Sequence, residues 1–115
     1  MANTFKTITK AGVTSADVIY TVAGSTTTVI LGLMLGNTTS GTITATVTLG
    51  TDTASRAGNN DEANQDVELI TSTSIPGNST LELLSGNKVV METTDTLSVT
   101  GSGATDVALS VMEIT

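Results

Sequence analysis

Apolar and polar residues alternate along most of this chain with the period of two that marks a β-strand, and Gly-, Ser- and Asn-rich breaks recur every 8 to 12 residues or so. The cleanest alternation is Gly41 to Leu49, with Ile43, Ala45, Val47 and Leu49 on one face and Thr42, Thr44, Thr46 and Thr48 on the other. A strand with one solvated threonine face belongs in an antiparallel sheet. The most hydrophobic stretch, Thr26 to Asn37 (TTTVILGLMLGN), is different because both of its faces are apolar. Strict alternation places Val29, Leu31, Leu33 and Leu35 inward and Ile30 and Met34 outward. Three β-branched threonines at its start, and glycines at 32 and 36 that would each cost about 1 kcal/mol inside a helix, make it a strand. Its length falls well short of the roughly 20 apolar residues that cross a bilayer. It predicts a central strand covered on one side by a second sheet of the same domain.

The remaining strands fall into place around it. Residues 3–9 form a first strand or, alternatively, part of an N-terminal arm at 1–12, with Phe5 and Thr7 opposite Lys6 and Ile8. Asp17 to Val22 places Val18, Tyr20 and Val22 on one side, and the Ala23-Gly24-Ser25 turn predicts a hairpin into the central run. Strands follow at 66–75, 79–84, 88–92, 95–100 and 107–114, the last again two-faced: Val107, Leu109 and Val111 against Ala108, Met112 and Ile114. Between 50 and 65 lies a polar segment of about 16 residues, either a solvent loop or an arm that orders on a neighbour. The expected fold is all-β: one β-sandwich over residues 1–115, jelly-roll or immunoglobulin-like, with eight or nine short antiparallel strands. No internal repeat is present.

Composition narrows the function. Four Lys+Arg against eleven Asp+Glu give a net charge of −7. Lys6, Lys10, Arg56 and Lys88 are too few to build a phosphate-binding patch, which argues against a nucleic-acid partner. No hydrophobic leader opens the chain, so it is expected to be made in the cytoplasm, and no segment suggests a membrane partner. With no His and no Cys, the usual nucleophilic triads, thiolate sites and zinc sites lack their essential members. The acids are scattered along strand ends and turns, so no carboxylate pair suggests hydrolysis. The expectation is a protein that is not an enzyme and needs no cofactor. Asp52, Asp61, Glu62 and Asp66 form the densest acidic group, in a spacing that matches no calcium loop. Asn37-Thr38-Thr39 and Asn78-Ser79-Thr80 match a glycosylation pattern but read as turns.

Two apolar-on-both-faces strands ask for a partner, because a soluble domain rarely exposes a wide apolar patch. Ile30, Met34, Met112 and Ile114 are therefore the candidate interface residues, the alternative being that strand curvature or a covering loop buries them within the monomer. The expected partner is the chain itself, as a homo-oligomer, with a trimer among the arrangements considered.

Two segments also resemble a known group. "DVIYTVAGSTTTVILGLMLGNTTSGTITATVTL" (Asp17 to Leu49) and "STLELLSGNKVVMETTDTLSVTGSGATDVALSVMEI" (Ser79 to Ile114) are similar to small β-sandwich structural proteins of tailed bacteriophages. The second contains an "LLxGNKVV" run, an acidic turn, and a last strand ending near an acidic residue; Thr94 stands where a glycine often precedes Asp95. The resemblance implies a virion component, most often a capsid decoration or cement protein bound to the major capsid protein, with a neck or tail component as the alternative. A carbohydrate- or receptor-binding sandwich is the competing class. That role usually needs exposed aromatics, of which the chain offers only Phe5 and Tyr20.

Overall fold

The computed structural model describes residues 2–51, 65–84 and 87–115. Nine strands form: β1 (Asn3–Val13), β2 (Asp17–Thr21), β3 (Thr27–Asn37), β4 (Ile43–Thr51), β5 (Gln65–Ile75), β6 (Thr80–Leu83), β7 (Val89–Met91), β8 (Thr96–Gly101) and β9 (Thr105–Ile114). Sheet A has the order β1-β9-β3-β6, with β7 also paired to β3; sheet B has the order β2-β8-β4-β5. All pairings are antiparallel.

The pairings identify the sandwich type. β4 pairs with β5, β3 with β6 and β7, β2 with β8 and β1 with β9, so the chain is a long hairpin doubled back on itself between β4 and β5. Successive rungs of this double ribbon alternate between the two sheets, which is the jelly roll. The alternation corrects one sequence expectation. β2 and β3 are not a hairpin, because β2 lies in sheet B and β3 in sheet A, and the turn after Val22 crosses the sandwich. The first segment forms a strand of 11 residues at the edge of sheet A, paired with β9. The polar segment contributes Gly50 and Thr51 to β4 and Gln65 to β5; its remainder, with Asp52, Asp61 and Glu62, lies outside the described residues.

Between the sheets lies an aliphatic core that includes Ile30, Leu33, Leu35, Met91, Leu109 and Val111 from sheet A and Ala45, Val47, Ile75, Leu97 and Val99 from sheet B. Ile30 is fully buried, which overturns its predicted outward position. The cause is a β-bulge. Ile30 pairs with Val111 and Gly32 with Ser110, leaving Leu31 as an extra residue. One extra residue inverts the alternation, so Thr28 and Ile30 point inward before it and Leu33, Leu35 and Asn37 point inward after it. The bulge sits where β3 changes neighbour from β7, paired at Ile30, to β6, paired at Leu33. A second register shift, between Val18 and Tyr20, does the same in β2. Tyr20 pairs with inward Leu97, while Val18 pairs with Ser98 and faces solvent.

Asn37 organises the turn that follows β3. Its buried amide nitrogen reaches the carbonyls of Gly41 at 2.8 Å, Ile75 at 2.9 Å and Pro76 at 3.1 Å. Its side-chain oxygen accepts from the Thr39 backbone N–H at 2.9 Å and the Thr39 hydroxyl at 2.7 Å. This matches the reading of Asn37 as a turn residue, and the amide holds the β3–β4 crossover against the end of β5.

Candidate assembly face

Residues directly opposite one another on paired strands share a face, so register alone assembles the outer surfaces of the sandwich. On sheet B, Thr48 stands opposite Ser98 and Glu68, and Thr46 opposite Thr100. This outer face is mainly a ladder of hydroxyls with acids at its β5 side, as the threonine alternation of β4 predicts, and Val18 of β2 stands exposed opposite Ser98 at its other side.

Sheet A presents a different surface. Phe5 of β1 stands opposite Met112 of β9, Met112 opposite Val29 of β3, and Val29 opposite Val90 of β7. One apolar row thus crosses four strands. Phe5 is 70% exposed and Val90 56%. Ile114 stands one row further along, between Asn3 and Thr27. In the other direction the rows shrink to Thr7, Ser110 and Gly32, and then to Thr9, Ala108, Met34 and Glu82. The result is an apolar bar beside a shallow trough floored by Gly32, Ala108 and Ser110, from which Met34 projects, 46% exposed. Removing a side chain such as Phe5 or Val90 from water is worth about 1.5–3 kcal/mol. Covering the bar is therefore favourable.

Of the four residues expected at an interface, Met34, Met112 and Ile114 lie on this face, and Ile30 belongs to the core. Phe5, Val29 and Val90 were missed. Val29 was lost to the bulge, which reversed its predicted side. Phe5 and Val90 carried a visible signal, since each breaks a polar face in an alternating segment, but only the register of distant strands puts them in one row.

A polar network lies beneath the bar. Glu113 points inward from the end of β9, its side chain 13% exposed, and its Oε1 receives Lys6 Nζ of β1 at 2.8 Å. Its other carboxylate oxygen accepts the Tyr20 hydroxyl of β2, which also contacts Thr28 Oγ1 of β3 at 2.8 Å. The Lys6 hydrogen bond, then that of Tyr20, holds the Glu113 carboxyl below its usual range. Burial, reinforced by the bond to Glu113, pushes the Tyr20 hydroxyl up to about 12. Four strands from both sheets are thereby fastened under the row that β1, β9 and β3 display. The Tyr20 hydroxyl is committed to this network. Among the described residues no group of three or more acidic side chains converges as a metal site would need.

No family model matches this sequence, and no curated protein matches it. Solved structures to which the chain is similar include a pilus protein of Bacillus endospore appendages, described as disulfide-linked pili, with 15% identity and a TM-score of 0.49 over 99% of this chain and 87% of that one. A chain of the infectious bursal disease virus Gx strain shows 10% identity and a TM-score of 0.38, with this chain spanning 37% of its length. A chain of an infectious bursal disease virus particle shows 12% identity and a TM-score of 0.27, with 39% of its length spanned.

Proposed function

We propose that this protein is a non-enzymatic virion subunit of the capsid decoration or cement type, homo-oligomeric and seated on the shell by the outer face of sheet A. The observation that carries the reading is the contrast between the two outer faces. The outer face of sheet B is mainly hydroxyls that water satisfies, with Val18 exposed singly at its β2 edge, whereas sheet A ends in a four-strand apolar row, Phe5–Met112–Val29–Val90, at the surface. A cement protein needs a rigid sandwich, one face that gains by being covered and no chemistry, and it multiplies weak contacts by repetition over many equivalent sites. The resemblance of Asp17 to Leu49 and Ser79 to Ile114 to tailed-phage structural proteins supports the virion setting.

The test is co-sedimentation with empty shells of the virus that encodes the chain. Wild type should bind saturably, and Val90→Asp, at the β7 end of the row on an exposed side chain, should bind weakly while keeping its β-sheet circular dichroism. Undiminished binding by Val90→Asp would remove sheet A as the docking face. Copy number separates capsid from neck or tail: on the order of hundreds per particle marks the shell, and about six or twelve marks a tail ring.

A further inference from the structure

We propose that two copies of this chain associate through the free edge of β1, pairing antiparallel with β1 of the second copy about a two-fold axis at Thr7. The inference rests on the assembly reading above and assigns self-association to an edge, leaving the apolar face of sheet A for the shell.

A two-sheet sandwich has four edges, and an open edge recruits another strand unless something blunts it. Three are blunted here. β2 has five residues and a register shift. β6 and β7 are four and three residues long and share one edge with a break between them. β5 is long, but its pairing with β4 shifts register twice and Ser72 takes a positive φ of 45°. β1 keeps the longest even run: Asn3 to Lys10 continue without a register shift and, among the described residues, pair only with β9, so its guards are the side chains of Lys6 and Lys10.

The direction of its free groups follows from one contact. Ala2 and Thr115 exchange both backbone hydrogen bonds, at 3.0 and 2.9 Å. In an antiparallel ladder the bonding direction alternates residue by residue. Thr4, Lys6, Ile8 and Lys10 therefore bond β9, and the N–H and C=O groups of Asn3, Phe5, Thr7 and Thr9 point out from the edge.

The side chains select the occupant and the register. β1 carries Lys6 and Lys10 and no acid, but both cations are already met within the chain, by Glu113 at 2.8 Å and Asp17 at 3.6 Å. The edge has no outstanding charge that would call for an acidic partner strand, and an identical strand fits it. A two-fold at Lys6 would oppose two Lys6 side chains, and one at Ile8 would oppose Lys6 to Lys10, both unfavourable. A two-fold at Thr7 sets Lys6 against the second copy's Ile8, Lys10 against its Thr4 and Phe5 against its Thr9. It engages the outward groups of Phe5, Thr7 and Thr9 on both copies, about six hydrogen bonds. A two-fold at Phe5 overlaps a shorter run. The Thr7 arrangement joins two copies of sheet A into one sheet with both apolar bars on the same side, so a dimer offers the shell a doubled face.

Sedimentation of the full chain tests this, with circular dichroism as the folding control. Wild type should be a dimer. Thr7→Pro should be a monomer with unchanged β-sheet signal, because the N–H that proline removes points away from β9. Because the chain has no cysteine, Thr7→Cys should form a disulfide-linked dimer under mild oxidation. Thr9→Cys should not, since in this register the two Thr9 positions lie roughly 14 Å apart. A monomeric or trimeric wild type, or a dimer that survives Thr7→Pro, overturns the proposal. If Thr7→Pro misfolds, the cysteine pair decides. An oligomer that Val90→Asp dissociates and Thr7→Pro leaves intact would make the sheet A face the self-interface, sinking the edge proposal while the assembly reading stands.

Discussion

Tyr20 and Glu113 lie 93 residues apart in sequence, and the phenol of one donates to the carboxylate of the other across the interior, bolting sheet B to sheet A. Removing the hydroxyl in Tyr20→Phe should cost about 1–2 kcal/mol, since Thr28 and Glu113 both lose a partner. Urea unfolding followed by circular dichroism checks the value.

The same pair gives stability a pH signature at each extreme. A carboxyl whose folded pKa is lowered adds stability above its unfolded value, 4.5, and loses it as pH falls through the folded value. Glu113→Gln should therefore show a smaller loss of stability below that pH than wild type does. Tyr20 acts in the opposite sense. Its folded pKa is raised from 10.0 to about 12, so its contribution is complete below pH 10 and disappears as pH rises toward 12. The chain has one tyrosine, so the ultraviolet band of ionised phenol reads this titration directly.

Ile30 and Met34 should separate cleanly on substitution. Ile30→Ala empties a fully buried site and should cost about 2–5 kcal/mol. Met34→Ala removes an exposed side chain and should change stability by no more than about 0.5 kcal/mol. Thermal unfolding of the two variants checks the bulge, because a strand with strict alternation through Leu31 would give the reverse order.

At the β3–β4 turn, Asn37→Ala should lose about 2–4 kcal/mol, because it removes the donors to the Gly41, Ile75 and Pro76 carbonyls and the acceptor for Thr39. Denaturant midpoints measure it. A neutral outcome would mean that water replaces the amide.

Thr94 occupies a turn with φ of 72°, where a β-branched residue is strained and glycine is at ease. Thr94→Gly should stabilise the fold by about 0.5–1 kcal/mol, net of the extra freedom glycine gives the unfolded chain. The melting temperature should rise accordingly. The sequence had marked this position as one where glycine is common among resembling proteins, and the backbone supplies the reason.

Much of the fold was legible because hydrophobic alternation is a local signal: β4, β8 and β9 face as their patterns predict. The failures in facing have one physical origin, whereas the expected β2–β3 hairpin failed because the turn after Val22 crosses between the sheets. Leu31 in β3 and the shift before Tyr20 in β2 each break the count by a single residue; Gly32 beside the extra Leu31 is a local hint of a bulge, but the bulge coincides with the hand-over from β7 to β6, an event between strands distant in sequence. The same limit hid the assembly face. Met34, Met112 and Ile114 could be found one strand at a time, but the row Phe5–Met112–Val29–Val90 exists only in the pairing of residues up to 107 positions apart.

The reciprocal bonds between Ala2 and Thr115 also set how the molecule bears force. The two ends leave from the same corner, side by side, so a pull applied between them peels β1 from β9 and loads the hydrogen bonds one after another instead of together. Such a zipper opens under little tension. Tension between Ala2 and Thr115 is therefore resisted one pair of hydrogen bonds at a time, whereas a load spread across the sheet meets many at once.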